Sequence, residues 1–301
     1  MIKALLLDLG GTLMVDGEIL PGVPQALRVI EEFKIEDGGP LVTCLVSDFE
    51  MPEPRTPEAI DAAFKAYLKI LDGVDLTHFF EPVDERITLS THAGVNKPAR
   101  IVFEMALQRA KVDASLEEAL FITEDASHVA ASRKLGMAAL QFGVDFVDWA
   151  DAPLLIAHRL EAGANHQANH FRALKLALAS SHDVQLESLD TTSGDTVRGR
   201  ARGWVRLDEP ELASLKGVHV EMPVGVTCQV NQKGQLQNVR IIAPPKGDLK
   251  EAVHSVQSLV SNRQLAEGTG KSGSSPVIPT HRIETGPDGR RYLRRRRFSA
   301  M

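Results

Sequence analysis

Cysteine is almost absent from this chain of 301 residues. The two present, Cys44 and Cys228, lie in unrelated apolar segments without metal-ligand spacing, which argues against a disulfide framework and leaves buried thiols as the expectation. No window approaches the roughly eighteen consecutive apolar residues of a membrane span. The first residues also lack a basic region followed by an apolar stretch and a small-residue cleavage site, so a cytoplasmic protein is expected. Positive charge is in deficit: the formal net charge of −6 speaks against general affinity of the whole surface for nucleic acid. What the chain does have is apolar content of 43% with 25% charged residues, enough for a substantial core at a length that favours two domains.

Strand-like and helix-like signals alternate through the first half. KALLLDL (3–9) is a continuous apolar run; Gly22 to Lys34 has helical spacing after Pro21; PLVTCLVS (40–47) is again short and β-rich. A helix is expected from Pro57 to Leu71, another across Ala99 to Lys111, then the run ALFIT (119–123), a helix over Ala126 to Leu135, and a last run over Met137 to Phe142. Each parallel strand needs a crossover, so this alternation implies a parallel sheet covered by helices over residues 1–155. Beyond Trp149 the pattern changes. A helix over Pro153 to Leu178 precedes alternating segments at 184–207 and 217–242, the latter turning at Lys233-Gly234, and a helix over Asp248 to Leu265 closes a small α+β domain, residues 156–266. From residue 267 the chain is rich in Gly, Ser, Pro and Arg and reads as a disordered basic tail.

The first run ends on Asp8 and drops at once into Gly10-Gly11-Thr12. Ligands of open parallel sheets bind beyond the carboxyl ends of strands, and glycines there let backbone N–H groups approach an anion. A carboxylate so held serves as nucleophile, metal ligand or both. Alone, the stretch is equally a strand-ending turn with an exposed Asp. Yet Ser47 ends the second run, Lys97 precedes a helix in GVNKPARIVFEMAL, and Glu124-Asp125 follows LFIT. That set can gather a carboxylate, a hydroxyl, a lysine for an oxyanion and an acidic pair for a hard cation.

In this order (Asp8 with Gly11-Thr12, Ser47, Lys97-Pro98, then Glu124-Asp125 leading to Leu135-Gly136-Met137) the chain resembles the haloacid dehalogenase superfamily over residues 3–145. The resemblance implies a Rossmann-like α/β fold, a Mg²⁺-dependent hydrolase, most often a phosphatase, and attack by Asp8 to give an aspartyl-phosphate. It further implies that Gly11, Thr12, Ser47 and Lys97 hold the phosphoryl group, and that Asp8, the Gly10 carbonyl, Glu124 and Asp125 hold the metal. The short connection after Thr12 leaves no room for an inserted cap there, and the stretch before Lys97 adds one helix at most. An open site of this kind suits a phosphorylated substrate as large as a macromolecule.

The match departs at Gly10, where phosphatases of this superfamily usually carry a second Asp as general acid and base. That role is worth a factor of about 10² to 10⁴ in rate. Glu124 and Val129 also depart from the usual acidic pattern. Asp16, Glu18, Asp48, Glu50, His92 and His128 are the candidate replacements, each more commonly a solvated or structural side chain. His166 and His170, four apart on a helix, lack the Glu and third ligand of a zinc site and read as surface histidines. The run 290–297 is a candidate contact for RNA or an acidic protein. A catalytically silent scaffold that recruits a partner is therefore the alternative to the enzyme.

Overall fold

The computed structural model describes residues 1–160, 166–193, 195–207, 215, 217–242, 244, 246–262, 265–267 and 280–295. Two compact units emerge, residues 1–177 with 232–235 and residues 178–231 with 236–301.

In the first unit, β1 (Ala4–Leu7) is buried along its whole length. The hairpin of β2 (Met14–Val15) and β3 (Glu18–Ile19) follows, closed by Asp16 and Gly17 at φ 52° and 83°. Positive φ at both positions is what a two-residue type I′ turn demands, and Asp-Gly supplies it at little cost. Then come α1 (Val23–Glu31), β4 (Val42–Ser47), α2 (Pro57–Gly73), α3 (Val83–Arg86), β5 (Ile87–Leu89), α4 (Ser90–Ala93), α5 (Arg100–Arg109), β6 (Ala119–Thr123), α6 (Ala126–Lys134), β7 (Ala138–Gln141), α7 (Ala152–Arg159) and α8 (His166–His182). Helix α2 starts where Thr56 Oγ1 accepts from the Ala59 amide at 3.2 Å and Pro57 needs no N–H partner.

The sheet order is β5-β4-β1-β6-β7 with every pair parallel. From central β1 the chain winds first to one side and then returns to the other, which is the Rossmann-like arrangement. Its switch point lies between β1 and β6, and Asp8 and Glu124 follow the carboxyl ends of these two strands, where ligands of open parallel sheets bind. Val102, Phe103, Ala106 and Leu107 form one face of α5 and seal the sheet against Phe121, Leu6 and Val46. Edge strand β5 was not apparent in the sequence pattern. The single helix expected over 153–178 is instead the pair α7 and α8, with residues 161–165 outside the described ones.

In the second unit β8 (Gln185–Ser193), β9 (Thr196–Leu207), β10 (Val218–Val230), β11 (Leu236–Ile242), α9 (Lys246–Ser261), β12 (Leu265–Glu267), β13 (His281–Thr285) and β14 (Arg291–Arg295) build a seven-stranded sheet, ordered β12-β13-β14-β10-β9-β8 with β11 on β10. One face packs Leu207, Val218, Ile283 and Leu293 against Val253 and Val256 of α9. Residues 280–295, read above as part of a disordered tail, are instead ordered: β13 and β14 pair antiparallel, and Ile283, Tyr292 and Leu293 are buried. Arginines before and after the two adjacent buried positions of β14 leave no clean alternation and disguised them. Residues 268–279 and 296–301 lie outside the described ones. Among the described residues no helix is long and apolar enough to cross a membrane.

Candidate active site

Asp8 stands one residue past β1, where its amide donates to the Ile122 carbonyl at 3.0 Å and pins the strand end to β6. Its Oδ1 accepts from the Leu9 amide at 2.8 Å and from Lys97 Nζ at 2.5 Å. Oδ2 accepts from the Thr123 hydroxyl at 3.0 Å. Lys97 and Asp8 expose only 2% and 10% of their side chains. A buried carboxylate in such a place requires compensation of this kind, since its desolvation is costly. Lys97 Nζ also donates to the Val46 carbonyl at 3.1 Å. An ammonium has three N–H donors, so one remains for an incoming oxyanion.

Ser47, at the end of β4, is buried and accepts from the Tyr67 hydroxyl at 2.6 Å. Burial is the main cause that pushes the Tyr67 phenol upward, with the charge of Asp8 acting in the same direction, so Tyr67 stays protonated and donates. Ser47 consequently keeps its own O–H for another acceptor. Tyr67 was missed in the sequence because α2 reads there as an ordinary apolar helix face. The available signal was a buried tyrosine, one of two in the chain, whose hydroxyl needs a partner.

Glu124 joins the same group through two threonines. Thr12 Oγ1 donates to Glu124 Oε2 at 2.5 Å and accepts from the Glu124 amide at 3.0 Å, while Thr123 Oγ1 lies 3.3 Å from that same Oε2. The Thr123 hydroxyl thus lies within reach of the carboxylates of both Asp8 and Glu124, its single proton serving one of them at a time. Gly11, at φ +67°, makes this possible: a Cβ there would fall 2.6 Å from Glu124 Cδ. The buried Trp149 fixes the turn from behind, its Nε1–H donating to the Thr12 carbonyl at 2.7 Å. Gly10 is exposed, and a Cβ added to it would meet nothing within 4 Å.

Asp125 touches this group through its amide, which donates to Thr123 Oγ1 at 3.2 Å, while its side chain is engaged at the start of the next helix. It is the N-cap of α6, its Oδ1 accepting from the Ser127 hydroxyl and amide, both at 2.6 Å, and from the His128 amide at 3.1 Å. The hydrogen bond from Ser127 first, and then that from the His128 amide, hold its carboxyl below the usual range. Asp48 accepts from the Lys97 amide at 2.8 Å and so holds the lysine's backbone. His92 Nδ1 accepts from the Leu89 amide at 3.0 Å and closes α4, and burial lowers it to about 4, reinforced by Arg109 and Arg55. Asp16, Glu18 and Glu50 are exposed. His128 Nε2 lies 3.9 Å from Asp125 Oδ2.

Among the described residues no group of three or more His, Cys, Asp or Glu stands ready to hold a metal ion. Histidines 166 and 170, rather than lying open on the surface, pack with ring centroids 4.2 Å apart, and burial, then His166 and His158, lower His170 to about 4. Both cysteines are free and buried, as expected, and burial raises Cys44 to about 12 and Cys228 to about 11. For magnesium, which keeps several waters and takes one or two carboxylates beside substrate phosphate, the donors present do fit: two carboxylates within reach of one hydroxyl and a nearby backbone carbonyl, all hard oxygens.

No family model matches the chain, and no curated protein does either. Solved structures do. A haloacid dehalogenase superfamily hydrolase from Ehrlichia chaffeensis is 14% identical, the match covering 58% of this chain and 97% of that one at a TM-score of 0.33. One from Deinococcus radiodurans R1, with bound phosphate and sodium, is 15% identical over 60% and 96% of the two chains at 0.35. An enzyme of the same family from Bacteroides thetaiotaomicron, in complex with magnesium and inorganic phosphate, is 14% identical over 47% and 94% at 0.31. In fold, the chain is similar to these hydrolases. At such scores and identities the likeness assigns no role to any residue.

Proposed function

We propose that the first unit is a magnesium-dependent hydrolase that takes a phosphoryl group onto Asp8. The observation that carries this is the buried Asp8 carboxylate, held by Lys97 and Thr123 at the switch point of the sheet. A carboxylate oxygen of Asp8 attacks phosphorus, the new O–P bond forms as the bond to the leaving oxygen breaks, and water then cleaves the aspartyl-phosphate. The free N–H of Lys97 and the hydroxyl of Ser47 take up charge on the phosphoryl oxygens, and positioning of this kind supplies most of the rate in phosphoryl transfer. Magnesium, held by Asp8, Glu124 and the Gly10 carbonyl, would offset the negative charge of those oxygens. Gly10 offers no proton to the leaving group. Substrates whose leaving group departs as a stable anion, acyl phosphates above all, are therefore the preferred class.

The test is phosphate release from a panel of phosphomonoesters and acyl phosphates, with and without Mg²⁺, for the native chain and Asp8→Asn. Magnesium-dependent release confined to the native chain supports the proposal. No release from any substrate, with both proteins folded, favours the scaffold.

The division of labour between Glu124 and Asp125 gives a second test. Glu124→Gln is expected to cost 10-fold or more in kcat at saturating substrate and to weaken the magnesium dependence, whereas Asp125→Ala leaves kcat within a few-fold. Asp125→Ala instead costs about 1 kcal/mol of stability, the usual value of a lost N-cap. Its sign with pH follows from the lowered carboxyl: the contribution is complete above the unfolded-state value of about 3.9 and vanishes as pH falls through the folded one. The difference between the urea midpoints of the two proteins should thus be largest at pH 7 and shrink as pH falls below about 3.9.

A further inference from the structure

Strand β9 reads TVRGRARGWVRL, and its alternation divides two faces. Val197, Gly199, Ala201, Gly203 and Leu207 turn inward, while Arg198, Arg200, Arg202 and Arg206 are exposed on the face that also carries Trp204. The neighbouring strands extend this face. His219 stands opposite Arg206 in β10 and opposite Tyr292 in β14. The rings of Trp204 and Tyr292 meet edge to face at 5.0 Å, and His219 lies 5.3 Å from Tyr292. The guanidinium of Arg294 lies 5.3 Å from the Trp204 ring and 5.6 Å from that of Tyr292.

The partly exposed Trp204, backed by the buried Tyr292 and set among exposed arginines in a chain whose net charge is −6, places positive charge where planar groups can stack. The acidic neighbours hold the arginines loosely. Arg200 to Asp190 measures 3.3 Å, Arg202 to Glu221 3.9 Å and Arg294 to Glu284 3.5 Å, all between exposed or half-exposed side chains. Surface pairs of this kind are worth little and are readily exchanged for phosphate.

We propose that this face of the second unit binds single-stranded nucleic acid, its phosphates on the β9 arginines and its bases against Trp204 and Arg294. A single strand fits better than a duplex because its bases are free to stack on a sheet, and better than a run of acidic side chains because carboxylates match the arginines but have no face to stack on the rings. The proposal stands apart from the chemistry of Asp8.

The experiment measures fluorescence anisotropy of labelled oligouridylate and oligodeoxythymidylate, about 12 nucleotides long, against the full chain across a salt series. Binding that weakens steeply with salt is expected. The charge reversal Arg200→Glu with Arg202→Glu should weaken it at least tenfold and flatten the salt slope. Trp204→Leu should weaken it about tenfold while leaving the slope unchanged, which separates stacking from charge. Both arginines are exposed, so unaltered unfolding midpoints and unaltered turnover at the Asp8 site show that the fold is intact. Oligouridylate against oligodeoxythymidylate tells which strand chemistry is preferred. No binding by the native chain, equal binding of duplex, equal binding of a polyglutamate peptide, or indifference to both variants overturns the proposal.

Discussion

Gly10→Asp is expected to raise turnover of an alkyl phosphomonoester by a factor of about 10² to 10⁴, the usual worth of a general acid. The position tolerates a side chain: its φ is not in the left-handed region, it is exposed, and a new Cβ meets nothing within 4 Å. Stability should therefore change little. The new carboxyl would sit two residues from Asp8, and the neighbouring charge raises its affinity for a proton, which suits an acid working near neutral pH. The gain should be large for alkyl esters and small for acyl phosphates, whose leaving group needs no proton. Steady-state kinetics on one substrate of each class, with equal magnesium, checks both halves. A uniform gain, or none, would mean that proton transfer is not what the native site lacks.

Lys97→Met is expected to have the largest effect on stability, a loss of about 3–5 kcal/mol, because it leaves the carboxylate of Asp8 buried without its cation. Hydrogen bonds from Thr123 and the Leu9 amide remain, but neither carries a charge. The double variant Asp8→Asn with Lys97→Met removes both charges together and should recover a substantial part of the loss, as an isosteric neutral pair in a buried site often does. Urea unfolding of the two single variants and the double one closes this cycle. Additive losses would mean that Asp8 is well solvated in the free protein, contrary to its 10% side-chain exposure. Turnover should be abolished in all three.

How much of this was legible in the sequence depended on whether a signal was local. Strands β1, β4 and β6 are continuous apolar runs fully buried between helices, and they announce themselves. Strand β5 has three residues, too few for a period, and exists because Leu45 to Ser47 of β4 offer it a ladder. Strand β14 hides its buried Tyr292 and Leu293 among arginines, and its pairing with β10 joins segments far apart in the chain. In the candidate site, Asp8 stood out by its strand end and glycines and Lys97 by its place before a helix, and the fold brings the two together. Tyr67 was not, because its approach to Ser47 depends on how α2 settles beside β4. Glu124 and Asp125 are adjacent, and only the fold shows that the Glu124 carboxyl meets Thr12 and Thr123 while that of Asp125 caps α6, although an Asp immediately before a helix is by itself a cap signal. That position 10 is a glycine could be read directly, whereas the room for a side chain there could be seen only in the fold.

The central claim is that Asp8 becomes phosphorylated, and the most direct measurement is to trap it. The chain is incubated with acetyl phosphate and Mg²⁺, quenched in acid, digested and analysed by mass spectrometry. A hydroxylamine-labile phosphoryl group on the peptide carrying Asp8, absent from Asp8→Asn and reduced without magnesium, is the predicted result. A folded native chain that carries no such group, or carries it elsewhere, would contradict the account.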